Sequence, residues 1–395
     1  MKQVLPVLFC LLSFFARSQG TTDSKNIFII TIDGFRWQEV FLGADTSLLG
    51  NTNYVSDIEL MQELYGGESP EARRQKLLPF FWNVIAKRGQ INGNRLLGNK
   101  VNVSNAYKIS YPGYNELLTG YADPIPVLNT PRQNRNINVL EFLNKEPEYQ
   151  GKVAAFSSWN IFPFILNRNR NKLEVNSGYE EIEAVTIADS LFNQVQDQVN
   201  EKTHCRYDQL TFVAAKEYIT KCHPKVVMLG FGETDEFAHK RQYDRYLQQA
   251  NAIDKMLAEL WYLVQTDPVY RNNTCFVITT DHGRGKKPTS WFTHNLFVGG
   301  SGEAWQALIG PGIPAIGECS EPQQVYQKQI AATVALLLGK KFSGNHAVAP
   351  ALSLTKPLPQ TTTAVTEPIE TVTPPGSDDT AVTTDKRGFT EKRIK

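Results

Sequence analysis

Three short apolar runs, each followed closely by an acidic residue, set the frame for any fold this chain can take. They are Asn26 to Ile32 before Asp33, Lys225 to Phe231 before Asp235, and Cys275 to Thr280 before Asp281. Each is rich in Val, Ile and Phe and short enough to be a strand covered on both faces. Helical patterns separate them, so the spacing predicts βαβ units and a parallel sheet. In open sheets of this kind ligands bind outside the carboxyl ends of the strands. Asp33, Asp235 and Asp281 are therefore expected on one rim, with His239, His282 and His294, which lie in or just after the same motifs. Carboxylates and imidazoles gathered in this way suit divalent cations.

A further segment runs from Lys108 to Gly120, Lys-Ile-Ser-Tyr-Pro-Gly-Tyr-Asn-Glu-Leu-Leu-Thr-Gly. Pro112 fits the first turn of a helix, where its missing N–H costs nothing, and Tyr114, Leu117, Leu118 and Tyr121 follow at helical spacing. Ser110 is expected just before that helix. There its hydroxyl lies beside backbone N–H groups and the positive end of the helix dipole, a favourable place for a phosphoryl group. An unassisted serine is a poor nucleophile at neutral pH, and a divalent metal activates it.

From about Asn26 to about Lys341 these residues resemble the alkaline phosphatase superfamily, most closely its nucleotide pyrophosphatase/phosphodiesterase-like branch. The resemblance implies an α/β fold, a three-layer α/β/α sandwich with a mostly parallel central sheet. It also implies two zinc ions, one held by Asp235, His239 and His294 and the other by Asp33, Ser110, Asp281 and His282; manganese or iron would also suit such ligands. The implied reaction is attack of Ser110 on phosphorus, giving a phosphoserine that water then hydrolyses. Arg284, Lys108 and Asn115 are candidates to hold the phosphoryl oxygens. Gly230 stands where a third, magnesium-binding site has a Glu, which argues against a third metal. Tyr114 stands where sulfatases carry an Arg, which lowers sulfatase chemistry. The phosphodiesterase branch usually has Thr as nucleophile, and the Ser at 110 leaves a slight preference for a phosphomonoester over a diester.

Other features bound the reading. Charge is nearly balanced, 41 basic against 40 acidic residues, so a small phosphate ester is the expected partner and nucleic acid is not. Residues 1–18 have a basic start, a short apolar stretch and small residues at Ala16 to Ser18, the pattern of a signal peptide rather than a stable membrane span. A periplasmic or extracellular enzyme is expected, with its catalytic domain over 24–345. Cys205 and Cys222 flank a helical pattern from Tyr207 to Ile219 and make an attractive disulfide, leaving Cys275 for Cys319, although buried free thiols fit as well. Trp159 or Phe162 is a candidate for the pocket wall. Further helices are expected over Arg73 to Lys87, Glu183 to Glu201, Gln323 to Leu338, and in one opened by His239. From Thr355 the composition turns to Thr, Pro, Ser and Asp, a tail too poor in apolar residues to fold. Oligomeric state is not encoded in any pattern.

Overall fold

All seven residues of Asn26–Ile32 are buried and form β1, near the middle of an eight-stranded sheet. The computed structural model describes residues 26–354; the expected signal peptide and Thr/Pro-rich tail lie outside them. Along the sheet the order is β10 (Gly317–Glu318), β2 (Gly89–Asn92), β9 (Gln306–Ile309), β7 (Thr274–Thr279), β1, β6 (Val226–Phe231), β4 (Val153–Ser157) and β5 (Glu174–Ser177). The five strands from β7 to β5 run parallel, and β9 is antiparallel to both β7 and β2. A second small sheet joins β11 (Gln323–Tyr326), β3 (Asn99–Asn102) and β8 (Glu303–Ala304).

Helices cover both faces, giving three layers. The period-two alternation of the strands explains how. Phe28, Ile30 and Ile32 point to one face with Leu229 and Ile278, under the helix Tyr243–Thr266. Ile27 and Ile29 point to the other with Met228 and Val277, under the helices Ser110–Thr119 and Ile330–Leu337. Phe28 is fully buried, stacks on Phe276 at 5.4 Å between ring centres, and meets Tyr270 edge-on. Phe28→Ala is expected to cost about 3–5 kcal/mol, measured as a lowered denaturant midpoint.

Several expected elements differ. The segment Arg73 to Lys87 breaks in two, Pro70–Leu77 and a second segment from Phe81 to Arg88. Leu78 precedes Pro79, whose ring drives the preceding residue out of the helical region, and the Asp254 carboxylate accepts from the N–H groups of Phe80 and Phe81 to start the second piece. His239 closes a short helix, Glu233–His239, instead of opening the long one. Arg241 at φ 60° makes the break between them. Helix Glu183 to Glu201 shrinks to Ile187–Asp197, begun by a reciprocal cap between Thr186 and Asp189. Gln323 to Tyr326 pairs with β3 as a strand, and the helix after it starts only at Ile330.

Neither expected disulfide forms. Cys205 precedes, and Cys222 ends, the helix Asp208–Cys222, whose 15 residues span about 22 Å, so a helix holds these thiols apart. Cys319 hydrogen-bonds to Ile91 of β2, and β9 then intervenes before Cys275 on β7. Three strand spacings come to about 14 Å, against the roughly 7 Å limit between Cα atoms that a disulfide tolerates.

Candidate metal centre and nucleophile

Because β7, β1 and β6 are adjacent and parallel, the residues that follow them meet on one rim. Asp33 follows β1, and Asp281 and His282 follow β7. The helix after β6 presents Asp235 and His239 one turn apart. His294 reaches the rim from a loop, where its Nδ1 faces the Lys108 carbonyl at 3.1 Å.

The facing atoms form two groups. His239 Nε2 lies 3.1 Å from Asp235 Oδ2 and 3.0 Å from His294 Nε2, while His294 Nε2 is 3.5 Å from Asp235 Oδ1. His282 Nε2 lies 3.5 Å from Asp33 Oδ1, 3.3 Å from Asp281 Oδ2 and 3.3 Å from Ser110 Oγ. Ligands about 2.0–2.1 Å from a tetrahedral zinc stand about 3.3 Å from one another, so both groups have the spacing of a coordination shell. His282 also falls within the reach of Asp235 and His294, and its ring stacks on that of His294 with centres 3.7 Å apart.

Two observations fit these residues to a cation. Asp33 Oδ1 and Asp281 Oδ2 are buried with no hydrogen-bond partner, a costly arrangement unless something positive sits between them. The remaining carboxylate oxygens are satisfied, Asp33 Oδ2 by the Tyr114 hydroxyl and Asp281 Oδ1 by the Gly34 N–H. In addition, His282 Nδ1 and His294 Nδ1 face the carbonyls of Gly283 and Lys108, which protonates those nitrogens and leaves the Nε2 lone pairs aimed inward.

The electrostatics agree. Burial, then the neighbouring carboxylates Asp281 and Asp235, pushes Asp33 well above the usual carboxylate range. Burial also pushes Asp281 up to about 8. Burial acts the same way on Asp235, but the Arg284 guanidinium and the imidazoles outweigh it and hold that carboxyl well below its ordinary value. Burial lowers His294 to about 4 and His282 well below its usual range. Neutral imidazoles are the ligating form.

Ser110 is the first residue of its helix rather than the residue before it, and is almost fully buried. The helix lies so close to β7 that a Cβ on Gly113 would stand 2.5 Å from the Asp281 carbonyl oxygen. Gly113→Ala must therefore displace the helix or the Asp281 loop. Misplacement by about 1 Å costs on the order of 100-fold in rate, and steady-state kinetics with a melting curve checks that loss against global unfolding.

None of the three candidates for holding phosphoryl oxygens borders the cavity beside Ser110, and two of them have other partners. Arg284 is buried and spends its donors on Asp235 and on the carbonyls of Trp291 and Phe292. Asn115 gives its amide to the Tyr121 carbonyl, and its oxygen accepts from Asn134 and Asn136. Lys108 contributes its backbone carbonyl, and its side chain runs along Gly302. Asn129, unlike Asn115, borders the same cavity as Ser110. It lines the cavity above Ser110, and its oxygen accepts from the Tyr111 N–H, which leaves its amide N–H groups for a ligand. Nothing in the sequence around Asn129 signals this. Tyr114 was detectable, because it lies four residues after Ser110 on the same helical face.

The cavity over Ser110 measures about 480 Å³ and is bounded by Trp159, Asn160, Ile161 and His204 beside the acidic and histidine residues. Trp159 is on its wall, whereas Phe162 is fully buried against Tyr114. The wall is stitched in place where Trp159 bridges to Cys205 and Asn160 N–H donates to the His204 carbonyl.

Residues 188–290 match the Metalloenzyme superfamily, a stretch that takes in Asp235, His239, Asp281 and His282. No curated protein matches the chain. Among solved structures, it is similar to wild-type alkaline phosphatase PafA (11% identity, TM-score 0.54, over 83% of this chain and 98% of that one). It is also similar to the lipoteichoic acid synthase LtaP from Listeria monocytogenes (13%, 0.51, 82% and 74%) and to BT1596, a 2-O GAG sulfatase (14%, 0.50, 81% and 72%). At these identities the likeness is one of fold: the chain has the alkaline phosphatase-like α/β architecture. Among the described residues no helix is long and apolar enough to cross a membrane.

Proposed function

We propose that this chain is an exported phosphoric ester hydrolase that uses Ser110 as nucleophile and two bound metal ions, zinc being the best fit to the N/O ligands. The observation that carries the reading is the pair of buried, unpartnered oxygens on Asp33 and Asp281, directed at His282 beside Ser110. When bound, the cations supply Lewis acidity to the serine hydroxyl, to the attacking water and to the phosphoryl oxygens. Asp235, His239 and His294 would hold one of them, and Asp33, Asp281, His282 and Ser110 the other.

The chain's own groups perform the rest. Ser110 Oγ forms the bond to phosphorus as the ester oxygen leaves, from a helix start whose N–H groups and dipole favour the phosphoryl charge. Water then breaks the phosphoserine and restores the hydroxyl. Tyr114, held protonated by burial and by the Asp33 charge, fixes that carboxylate through its phenol. Asn129 offers an amide to a phosphoryl oxygen.

The composition of the cavity wall favours a diester over the monoester preferred from the nucleophile alone. A monoester dianion calls for cations on its free oxygens, yet Arg284 spends its donors on Asp235, Trp291 and Phe292, and neither it nor Lys108 borders the cavity. Trp159 and Ile161 instead offer an apolar shelf for a second ester group. Faster turnover of bis-p-nitrophenyl phosphate than of p-nitrophenyl phosphate, with zinc present, is the expected result. The reverse order restores the monoester preference, and silence on both with metal bound sinks the hydrolase reading.

A further inference from the structure

Phe297 exposes 87% of its surface and Leu296 46%, and this pair lies in the loop that also supplies His294. The loop is an ordered display rather than a loose excursion. Phe297 N–H donates to the Asn295 side chain, Val298 N–H to the Asn295 carbonyl, and Asn295 N–H to Ser301 Oγ. An exposed Phe beside an exposed Leu, both held by turns, forms an apolar tip that an interface can bury.

Cations lie on segments tied to this loop. Lys286 N–H donates to the Gly299 carbonyl, so the segment with Lys286 and Lys287 runs beside the Phe297 loop. Gly285 N–H donates to the Thr293 carbonyl, and the Arg241 guanidinium stacks on Phe292 with its centre 4.1 Å from the ring. Lys240 and Arg241 directly follow His239 and are exposed. Lys286 pairs with Glu303; among the described residues no carboxylate pairs with Lys240, Arg241 or Lys287. One side of the rim thus carries an apolar tip set in a basic collar.

We propose that this surface, Leu296 and Phe297 with Lys240, Arg241, Lys286 and Lys287, docks on an anionic lipid bilayer. The apolar tip would sit among the acyl chains near the headgroups while the collar meets lipid phosphates, the combination that gives interfacial binding. A soluble polyanion explains the lysines but gives Phe297 nothing to bury against. Docking brings His239 and His294, on the cavity wall, within a few residues of the headgroup layer; Phe297 is only three residues from His294, about 10 Å of chain.

Co-sedimentation of the full-length, zinc-loaded protein with vesicles tests this, using phosphatidylcholine alone or mixed with phosphatidylglycerol. The wild type should bind the mixed vesicles and bind neutral ones far more weakly. Phe297→Ser and the double variant Lys286→Gln/Lys287→Gln should each weaken binding about tenfold, at unchanged melting temperature. Phe297→Trp should bind as tightly as the wild type, with a blue-shifted emission on the vesicles. A wild type left in the supernatant overturns the proposal. So does a Phe297→Ser variant that binds vesicles and soluble polyphosphate as the wild type does, which would assign the collar to polyanions. The readout needs no turnover, so it fails or succeeds separately from the hydrolase reading.

Discussion

Ser110→Ala is expected to lower turnover by roughly 10⁴-fold or more, the scale on which removal of a covalent nucleophile acts, while the protein stays folded and keeps its metal. The substitution removes one hydroxyl whose contact is His282 Nε2 at 3.3 Å. It leaves in place both carboxylates beside His282 and the whole Asp235, His239 and His294 group. The helix also survives, since Ile109 is its N-terminal cap and Ser110 makes no side-chain cap. Single-turnover hydrolysis of a nitrophenyl ester, with metal content measured on the same sample, checks the prediction. A variant that retains activity would remove Ser110 from the chemistry and leave only its place at the helix start.

Zinc is expected to raise the melting temperature of the metal-free protein by several degrees, and Asp281→Ala to abolish most of that rise together with activity. Asp33 and Asp281 carry unpartnered oxygens in a buried site, and burial lifts both carboxyls. Without a cation they are held protonated or mutually repelling. A ligand that binds only the folded state stabilises by about 2.7 kcal/mol at a hundred times its dissociation constant. The proton balance gives a second readout. With Asp281 at about 8, zinc must displace a proton at neutral pH, so the apparent affinity should rise as pH increases from 6 towards 8. Calorimetry in buffers of different ionisation enthalpy detects the released proton. No thermal shift and no proton release would show that these carboxylates hold no ion.

Much of this architecture was legible because the signals were local and long enough. β1, β6 and β7 read as short, mostly apolar runs, and their adjacency in a parallel sheet sets Asp33, Asp235 and Asp281 on one rim. What escaped depended on partners distant in sequence. Asn115 and Asn129 are the same residue type near the same helix, and only the neighbours Asn134, Asn136 and Tyr121 turn the first away. The helix between Cys205 and Cys222 was legible, and its rise of about 1.5 Å per residue already sets the two thiols too far apart to pair; the pairing overlooked that length. Arg241 broke a continuous helical pattern through a single backbone angle, and β11 became a strand because β3 offered it an edge. Lys108 was singled out for its side chain, whereas it is its carbonyl that meets His294 Nδ1.

The position of β1 bears on how the protein is made. Its neighbours on both sides, β6 and β7, are encoded roughly 200 and 250 residues downstream, so at about 5–20 residues per second the first strand waits some 10–50 seconds for them. During that interval an apolar segment with two unsatisfied edges is loose in the nascent chain, open to the wrong partner. Asp33 cannot meet Asp281 sooner either. The rim around Asp33 can therefore close only after β7 has been made, and until then Asn26–Ile32 is the segment most exposed to mispairing.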